Sequence, residues 1–215
     1  MGSAAMSPGA ADGRTERASR KRENRRRAIL QAARRTFAQS GFHRTHVSDI
    51  IEAAGIARGT FYLYFESKNA IFLELLDELM AELKQSIVGV DTDEGAPPVH
   101  EQLVGTVRRI LGTVVENQAL TRILVREAVG LGEDVDARLK AFYDNLLDYI
   151  REALENGQRM GILRALDTEL ASLCVLGTIK QLMEQLVMDD GELGRDVDRV
   201  ALAVLDFNLF GLMKR

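Results

Sequence analysis

Apolar residues recur at intervals of three and four along nearly the whole chain, which is the spacing of one buried face of an α-helix. Early in the chain this spacing predicts a helix from about Glu23 to Gly41, with Ile29, Ala33 and Phe37 facing a core. Three further helices are predicted in this part, at 45–55, 58–64 and 67–88. The hydroxyl groups of Thr45 and Ser67 are suited to cap two of them.

Helical spacing resumes after a polar break at 89–98 and continues to the end of the chain. It predicts five more helices, near 99–117, 119–130, 135–157, 167–188 and 196–213. No alternation of apolar and polar residues bounded by turns predicts a strand. The predicted fold class is therefore all-α, with about nine helices. No apolar run approaches the roughly 20 residues of a membrane-spanning helix, so no membrane partner is expected.

Charge is distributed unevenly along the 215 residues, whose net charge is −4. Residues 1–35 contain ten basic and three acidic side chains, whereas residues 73–215 are strongly acidic. A basic first part on an acidic body predicts a head that binds a polyanion. Residues 1–21 are predicted to form a disordered basic arm. The arginine-rich cluster at 20–27 fits an arm that reaches the minor groove of DNA or the flanking phosphates. A solvated tail with no DNA contact is the alternative.

The two short helices that meet at Gly55 have the form of a helix-turn-helix, in which one helix is held rigidly enough to enter a DNA groove. In the second helix, Arg58 is able to bond a guanine edge or a phosphate, and Gly59 allows the backbone to approach DNA closely. The hydroxyl of Thr60 is able to bond a base or a phosphate, and its methyl group is able to contact thymine. An ordinary helical hairpin with core aromatic residues is the structural alternative.

The aromatic residues of this segment divide into two sets. Phe61 and Phe65 are four residues apart and are predicted to face the core. Tyr62 and Tyr64 then point elsewhere, with hydroxyl groups available to phosphate oxygens. Two exposed tyrosines, a nearby lysine and a basic leading helix favour DNA binding over the plain hairpin.

The pattern Gly41-Phe42, Thr45-x-Val47-x-x-Ile50, Ala54-Gly55-Ile56 and Gly59-Thr60-Phe61-Tyr62-x-Tyr64-Phe65-x-x-Lys68 resembles the TetR family of bacterial transcriptional regulators. The match covers about residues 25–75. The resemblance implies phosphate contacts from Thr45 and Ser48, a base-facing surface of Arg58, Gly59, Thr60 and Leu63, and phosphate anchors at Tyr62, Tyr64 and Lys68. Ala57 departs from the pattern, because the family often has a Ser or Thr cap there.

The resemblance also implies the organisation of the rest of the chain. A helix-turn-helix DNA-binding domain at 22–66 precedes a helical ligand-binding and dimerisation domain at 67–215, which the long fourth helix joins to the head. A homodimer through the last two helices and a small-molecule effector are expected. Among the polar residues in apolar surroundings, Arg126 and Tyr143 are the candidate ligand-binding residues, and their neighbours favour a hydrophobic ligand.

Enzyme chemistry finds little support in the sequence. There is no G-x-G-x-x-G, Walker-type loop or G-x-S-x-G elbow, and Cys174 lies in an apolar helix. His43 and His46 lack the neighbouring ligands of a metal site, so neither metal nor cofactor is expected. We therefore predict a cytoplasmic, sequence-specific DNA-binding regulator, with repression of a palindromic operator relieved by a hydrophobic ligand. The alternatives are a regulator without a small-molecule inducer and a helical protein-interaction module.

Overall fold

The computed structural model describes residues 9–126, 132–188 and 196–210, and every regular element in these ranges is an α-helix. The described helices are α1 Gly9–Ser40, α2 Val47–Ala54, α3 Arg58–Tyr62, α4 Lys68–Ser86, α5 Val99–Glu116, α6 Gln118–Arg126, α7 Glu133–Arg159, α8 Thr168–Met188 and α9 Val197–Phe210. The all-α prediction is confirmed. The predicted helix ends near 130 and 213 lie outside the described residues.

The chain divides into two compact units after Leu75. This division lies inside α4, whereas the sequence placed a boundary after residue 66. Ser67 caps α4 as predicted, since its Oγ accepts the backbone N–H of Ala70 at 3.1 Å. Because α4 continues through the division, it belongs to both units.

The first helix begins much earlier than predicted. Residues 9–22 continue α1 without interruption, so the prediction of a disordered arm up to residue 21 is wrong for its described part. Ala, Arg, Glu and Lys dominate this stretch and are good helix formers. Packing of the second half of α1 supplies the helix nucleus, and Glu23 pairs with Arg27 one turn further on, at 3.0 Å.

Aromatic rings form much of the core of the first unit. The ring centroid of Phe42 lies 5.4 Å from that of Phe37 and 5.0 Å from that of Phe72. Phe61 and Phe65 are buried as predicted. The ring contacts join the end of α1, the loop after it and the first half of α4 around one core. The side of α3 that carries Phe61 is buried in the same unit.

The core of the second unit lies where α5, α8 and α9 meet. Its buried members are Val104, Val107, Leu111, Leu186, Val200, Ala201, Val204 and Leu205. In the described part of the chain, one helix, α8, is long and apolar enough over Thr168–Val187 to cross a membrane by length and composition, although no such run was expected from the sequence. Only 17% of that window is buried within this chain. Much of the apolar surface of α8 is therefore left uncovered by the other described helices.

Candidate DNA-binding surface

The turn between α2 and α3 is made by Gly55, which adopts the left-handed conformation with φ 60°. Its N–H donates to the carbonyl of Glu52 at 3.0 Å, and the N–H of Ile56 donates to the carbonyl of Ile51 at 3.2 Å. These two bonds close the end of α2 in the Schellman arrangement. The chain therefore leaves α2 at a fixed angle and starts α3 three residues later.

The start of α2 is fixed by a carboxylate. His46, not Thr45, precedes the helix as its cap, so the prediction of a Thr45 cap is wrong. The backbone N–H of His46 donates to Asp49 Oδ2 at 2.8 Å. This backbone hydrogen bond holds the pKa of Asp49 below its usual 3.8. A carboxylate three residues after the cap is a sequence signal for this role, but the sequence-based prediction did not include Asp49.

The short helix α3 is anchored on one side and exposed on the other. Phe61 is completely buried, whereas Arg58, Gly59, Tyr62 and Leu63 are exposed, with Leu63 exposing 74% of its surface. The guanidinium carbon of Arg58 lies 6.0 Å from the Tyr62 ring centroid, one turn away. The exposed face thus offers a cation, an apolar side chain and an aromatic hydroxyl on a helix that its core residue keeps in place.

Gly59 creates a gap in that face. A Cβ atom placed on Gly59 meets nothing within 4 Å, so no contact inside the chain requires glycine here. Thr60 and Tyr64 are half-buried at the edges of the exposed face. Ser48, on α2, is exposed and its hydroxyl donates to Asp49 Oδ1 at 3.2 Å. These residues remain accessible to an outside partner.

Two predicted DNA contacts have other partners in the structure. Thr45 is fully buried, and its hydroxyl donates to the carbonyl of Gly41 at 2.7 Å. The prediction of a phosphate contact from this side chain is therefore wrong, because the hydroxyl satisfies a carbonyl at the end of α1.

Lys68 is the second of these residues. Its ammonium donates to the carbonyls of Phe42, His43 and Thr45 at 2.8, 3.2 and 2.9 Å, and lies 4.5 Å from the Phe42 ring centroid. These bonds use all three ammonium donors. In the structure Lys68 therefore holds the loop before α2, and its contact with a phosphate stays a prediction.

Two family models match the chain. The model of bacterial regulatory proteins of the tetR family matches residues 29–75, and that of the tetracyclin repressor-like C-terminal domain matches residues 96–184. The chain belongs to the TetR family. It is a DNA-binding transcriptional regulator and not an enzyme, as the sequence predicted.

Similar proteins of known name agree with this assignment. An uncharacterized HTH-type transcriptional regulator of Bacillus subtilis, YdgC, is 29% identical over 88% of this chain and 93% of its own length. The fatty acid metabolism regulator protein of Bacillus subtilis is 29% identical over 86% of this chain and 93% of its own. The solved fatty acid degradation regulator FadR from Bacillus halodurans is 26% identical, covers 89% of this chain and 97% of its own, and superposes with a TM-score of 0.70.

In this TetR-family chain, Arg26 has a role that the sequence did not indicate. Sequence reasoning placed it in the basic cluster that approaches DNA. Its guanidinium instead bonds both carboxylate oxygens of Glu74 and lies 5.2 Å from the Phe65 ring centroid. Arg26 therefore ties α1 to the first half of α4. No local pattern reveals this role, because Glu74 is 48 residues away.

The two candidate ligand-binding residues lie in the second unit. Tyr143, on α7, is half-buried, and burial raises the pKa of its hydroxyl above the usual 10.0. The ammonium of Lys180 on α8 lies 4.8 Å from its ring centroid. The side chain of Arg126 lies outside the described residues. A groove of about 420 Å³ between α8 and α9 is lined by other residues, among them Leu182, Val204 and Phe207.

Changing Lys68 to methionine tests whether its ammonium holds the loop before α2 or binds a DNA phosphate. Methionine keeps an apolar stem beside Phe42 but removes the donors, so we expect unfolding to become easier by about 1–2 kcal/mol. Operator affinity falls because the loop before α2 loosens, while the slope of log affinity against log salt stays unchanged. Chemical denaturation and fluorescence anisotropy at several salt concentrations measure both quantities.

Lys84 is exposed near the end of α4 and supplies the control. Lys84→Met should leave both measurements as in the wild type. If the slope of log affinity against log salt falls by about 0.9 per chain in Lys68→Met, one phosphate is no longer neutralised. That result would show that Lys68 contacts a phosphate.

Proposed function

We propose that this regulator is a dimeric repressor that inserts α3 of each chain into the major groove of a palindromic operator and leaves it when a hydrophobic ligand binds. The observation that carries the proposal is the two-sided character of α3, which is fixed through buried Phe61 and presents Arg58, Gly59 and Leu63 outward. A helix of this kind reads base edges in the major groove.

Each exposed residue has a distinct task in the proposal. Arg58 bonds a guanine edge, and Leu63 and the methyl group of Thr60 contact thymine methyl groups. Gly59 lets the backbone of α3 approach the base pairs. Ser48, Tyr62 and Tyr64 contact phosphates on either side of the groove and fix the register.

The proposed dimer forms through α8 and α9. Leu170 and Leu173 on α8 and Leu202, Phe207 and Phe210 on α9 are all exposed within the single chain. Large apolar side chains repeated along two helices are typical of a surface that a partner covers. A second copy packed on this surface buries them and fills the groove between α8 and α9. Two-fold symmetry then makes the operator palindromic.

The proposed effector is a molecule with an apolar tail, such as an acyl compound. Support comes from the apolar neighbours of Tyr143 in the sequence, Phe142 and Leu146, and from the similarity to regulators named for fatty acid metabolism and degradation. Arg126 and Tyr143 supply the polar contacts in this proposal. The proposed place of action is the cytoplasm, where bacterial DNA lies. Titration of the DNA complex with acyl-CoA thioesters should release the DNA, and a complex that no acyl compound dissociates would remove this part of the proposal.

Selection from random duplex DNA tests the whole function. Repeated rounds of binding and amplification with the full chain should enrich an inverted repeat with half-site centres about one turn, ~34 Å, apart. Enrichment of one unpaired half-site would contradict the dimer. Failure to enrich any sequence would contradict sequence-specific regulation and favour a protein-interaction module.

A further inference from the structure

We propose that the first half of α1 is a second DNA-binding element, a basic rod that holds phosphates outside the half-site read by α3. This proposal rests on the proposed function and adds a separate surface to it. The rod consists of residues 16–27, which are helical and exposed except for half-buried Arg26. It contains seven basic and two acidic residues.

The cations of the rod divide into a structural and an unpaired set. Arg26 is occupied by Glu74, and Arg27 is paired with Glu23 at 3.0 Å. In the described part of the chain, the other five, Arg17, Arg20, Lys21, Arg22 and Arg25, make no ion pair. Four of these, Arg17, Arg20, Lys21 and Arg25, line one side of the helix together with Asn24. We call this side the α1 basic face.

The spacing on this face is unfavourable without an anion. Lys21 follows Arg17 by four residues and precedes Arg25 by four, so like charges stand one turn apart twice in succession. A bound polyanion removes this repulsion. Duplex DNA is the polyanion that the rest of the unit favours, because α1 and the helix-turn-helix belong to the same compact unit.

The helical form determines what part of DNA the face can contact. A helix with its side chains is about 10–12 Å across, whereas the minor groove is about 6 Å wide. The rod therefore does not enter the minor groove as an extended arm would. It lies along the phosphates, where long Arg and Lys side chains reach charge without reading base edges. Its contribution raises affinity for all duplex DNA by the same factor and leaves sequence preference unchanged.

The test is a full-length variant in which Arg17, Arg20, Lys21 and Arg25 are all changed to glutamine. Glutamine has nearly the helix propensity of arginine and lysine, so far-UV circular dichroism should be unchanged. We expect the slope of log affinity against log salt to fall by about 3–4 per chain, at about 0.9 for each phosphate that is no longer neutralised. Affinity for the selected operator and for unrelated duplex should fall by the same factor, at least about tenfold near 0.15 M salt.

The matched control removes the same net charge from another place. Lys140, Arg151, Arg159 and Arg164 are exposed cations of the second unit, and changing all four to glutamine should leave the salt slope unchanged. If the two variants lose equal affinity and equal salt slope, the effect comes from net charge alone, and the proposal is overturned. An unchanged slope in the α1 variant would also overturn it, as would a loss confined to single-stranded RNA or to phosphatidylserine vesicles.

These failures differ from failure of the proposed function. If the wild type prefers no sequence, regulation fails, yet the α1 variant still shows whether the basic face binds duplex DNA. If the wild type binds its operator with specificity and the α1 variant has the same salt slope, only the second element fails.

Discussion

Changing Gly59 to leucine will abolish specific DNA binding while the chain remains folded. Gly59 is exposed and an added Cβ atom meets nothing within 4 Å, so we expect leucine there to leave the chain folded. On DNA the added side chain occupies the gap through which the backbone of α3 approaches the base pairs. We expect operator affinity to fall at least 100-fold, about 2.7 kcal/mol. Fluorescence anisotropy with the selected operator measures the loss, and thermal unfolding reports the fold.

Alanine at the same position gives a graded version of this result. Gly59→Ala should raise stability by about 0.5–1 kcal/mol, because alanine loses less conformational freedom in a helix, and should still weaken operator binding about tenfold. Gly112, in α5, also has open space around a Cβ atom and is the control. Gly112→Ala should gain similar stability without losing affinity. Normal operator binding by Gly59→Leu would show that α3 does not approach the bases.

Changing Leu173 and Phe207 together to glutamate will produce a monomer that binds the operator at least 100-fold more weakly. Both side chains belong to the exposed apolar surface of α8 and α9. Four carboxylates brought together in the proposed interface would be desolvated and would repel one another. A monomer binds one operator half-site and lacks the extra affinity that a dimer gains by binding both half-sites at once. Analytical ultracentrifugation should give the mass of one chain, where the wild type gives two.

Met160 and Ile162 provide the matched control for this variant. Both are exposed apolar residues in the turn between α7 and α8, outside the proposed interface. Changing them to glutamate adds the same charge and should leave mass and affinity as in the wild type. A dimer in the Leu173/Phe207 variant, or a monomer in the control, would place the interface elsewhere.

Helical spacing was sufficient to predict most of the fold. The stripe that includes Phe61 and Phe65 faces the core as predicted, and Gly55 and Ser67 terminate and cap helices where their chemistry indicated. The predicted ranges of α5 and α8 differ from the observed ones by a residue or two. These features are local, because each depends on residues within about one turn of the chain.

The features that local sequence patterns did not reveal depend on partners distant in sequence or on a helix that extends from a packed segment. Lys68 looked like a phosphate anchor, yet its ammonium bonds three carbonyls more than twenty residues earlier. Arg26 looked like part of a DNA arm, but it pairs with Glu74. The composition of the first part of α1 indicated disorder. This part is helical nonetheless, because the packed second half of α1 supplies the nucleus from which the helix extends. Nothing in local spacing distinguishes an exposed cation from one that closes a loop.

The central claim is that the exposed face of α3 reads base pairs in each half of the operator. Its most direct test compares base preferences of the wild type with those of Arg58→Ala, Thr60→Ala and Leu63→Ala on operators changed one base pair at a time. We predict that Arg58→Ala loses about 1–3 kcal/mol and loses discrimination at one pair of symmetry-related positions, with preferences elsewhere retained. If all three variants keep every base preference of the wild type, α3 does not read the operator and the claim is contradicted.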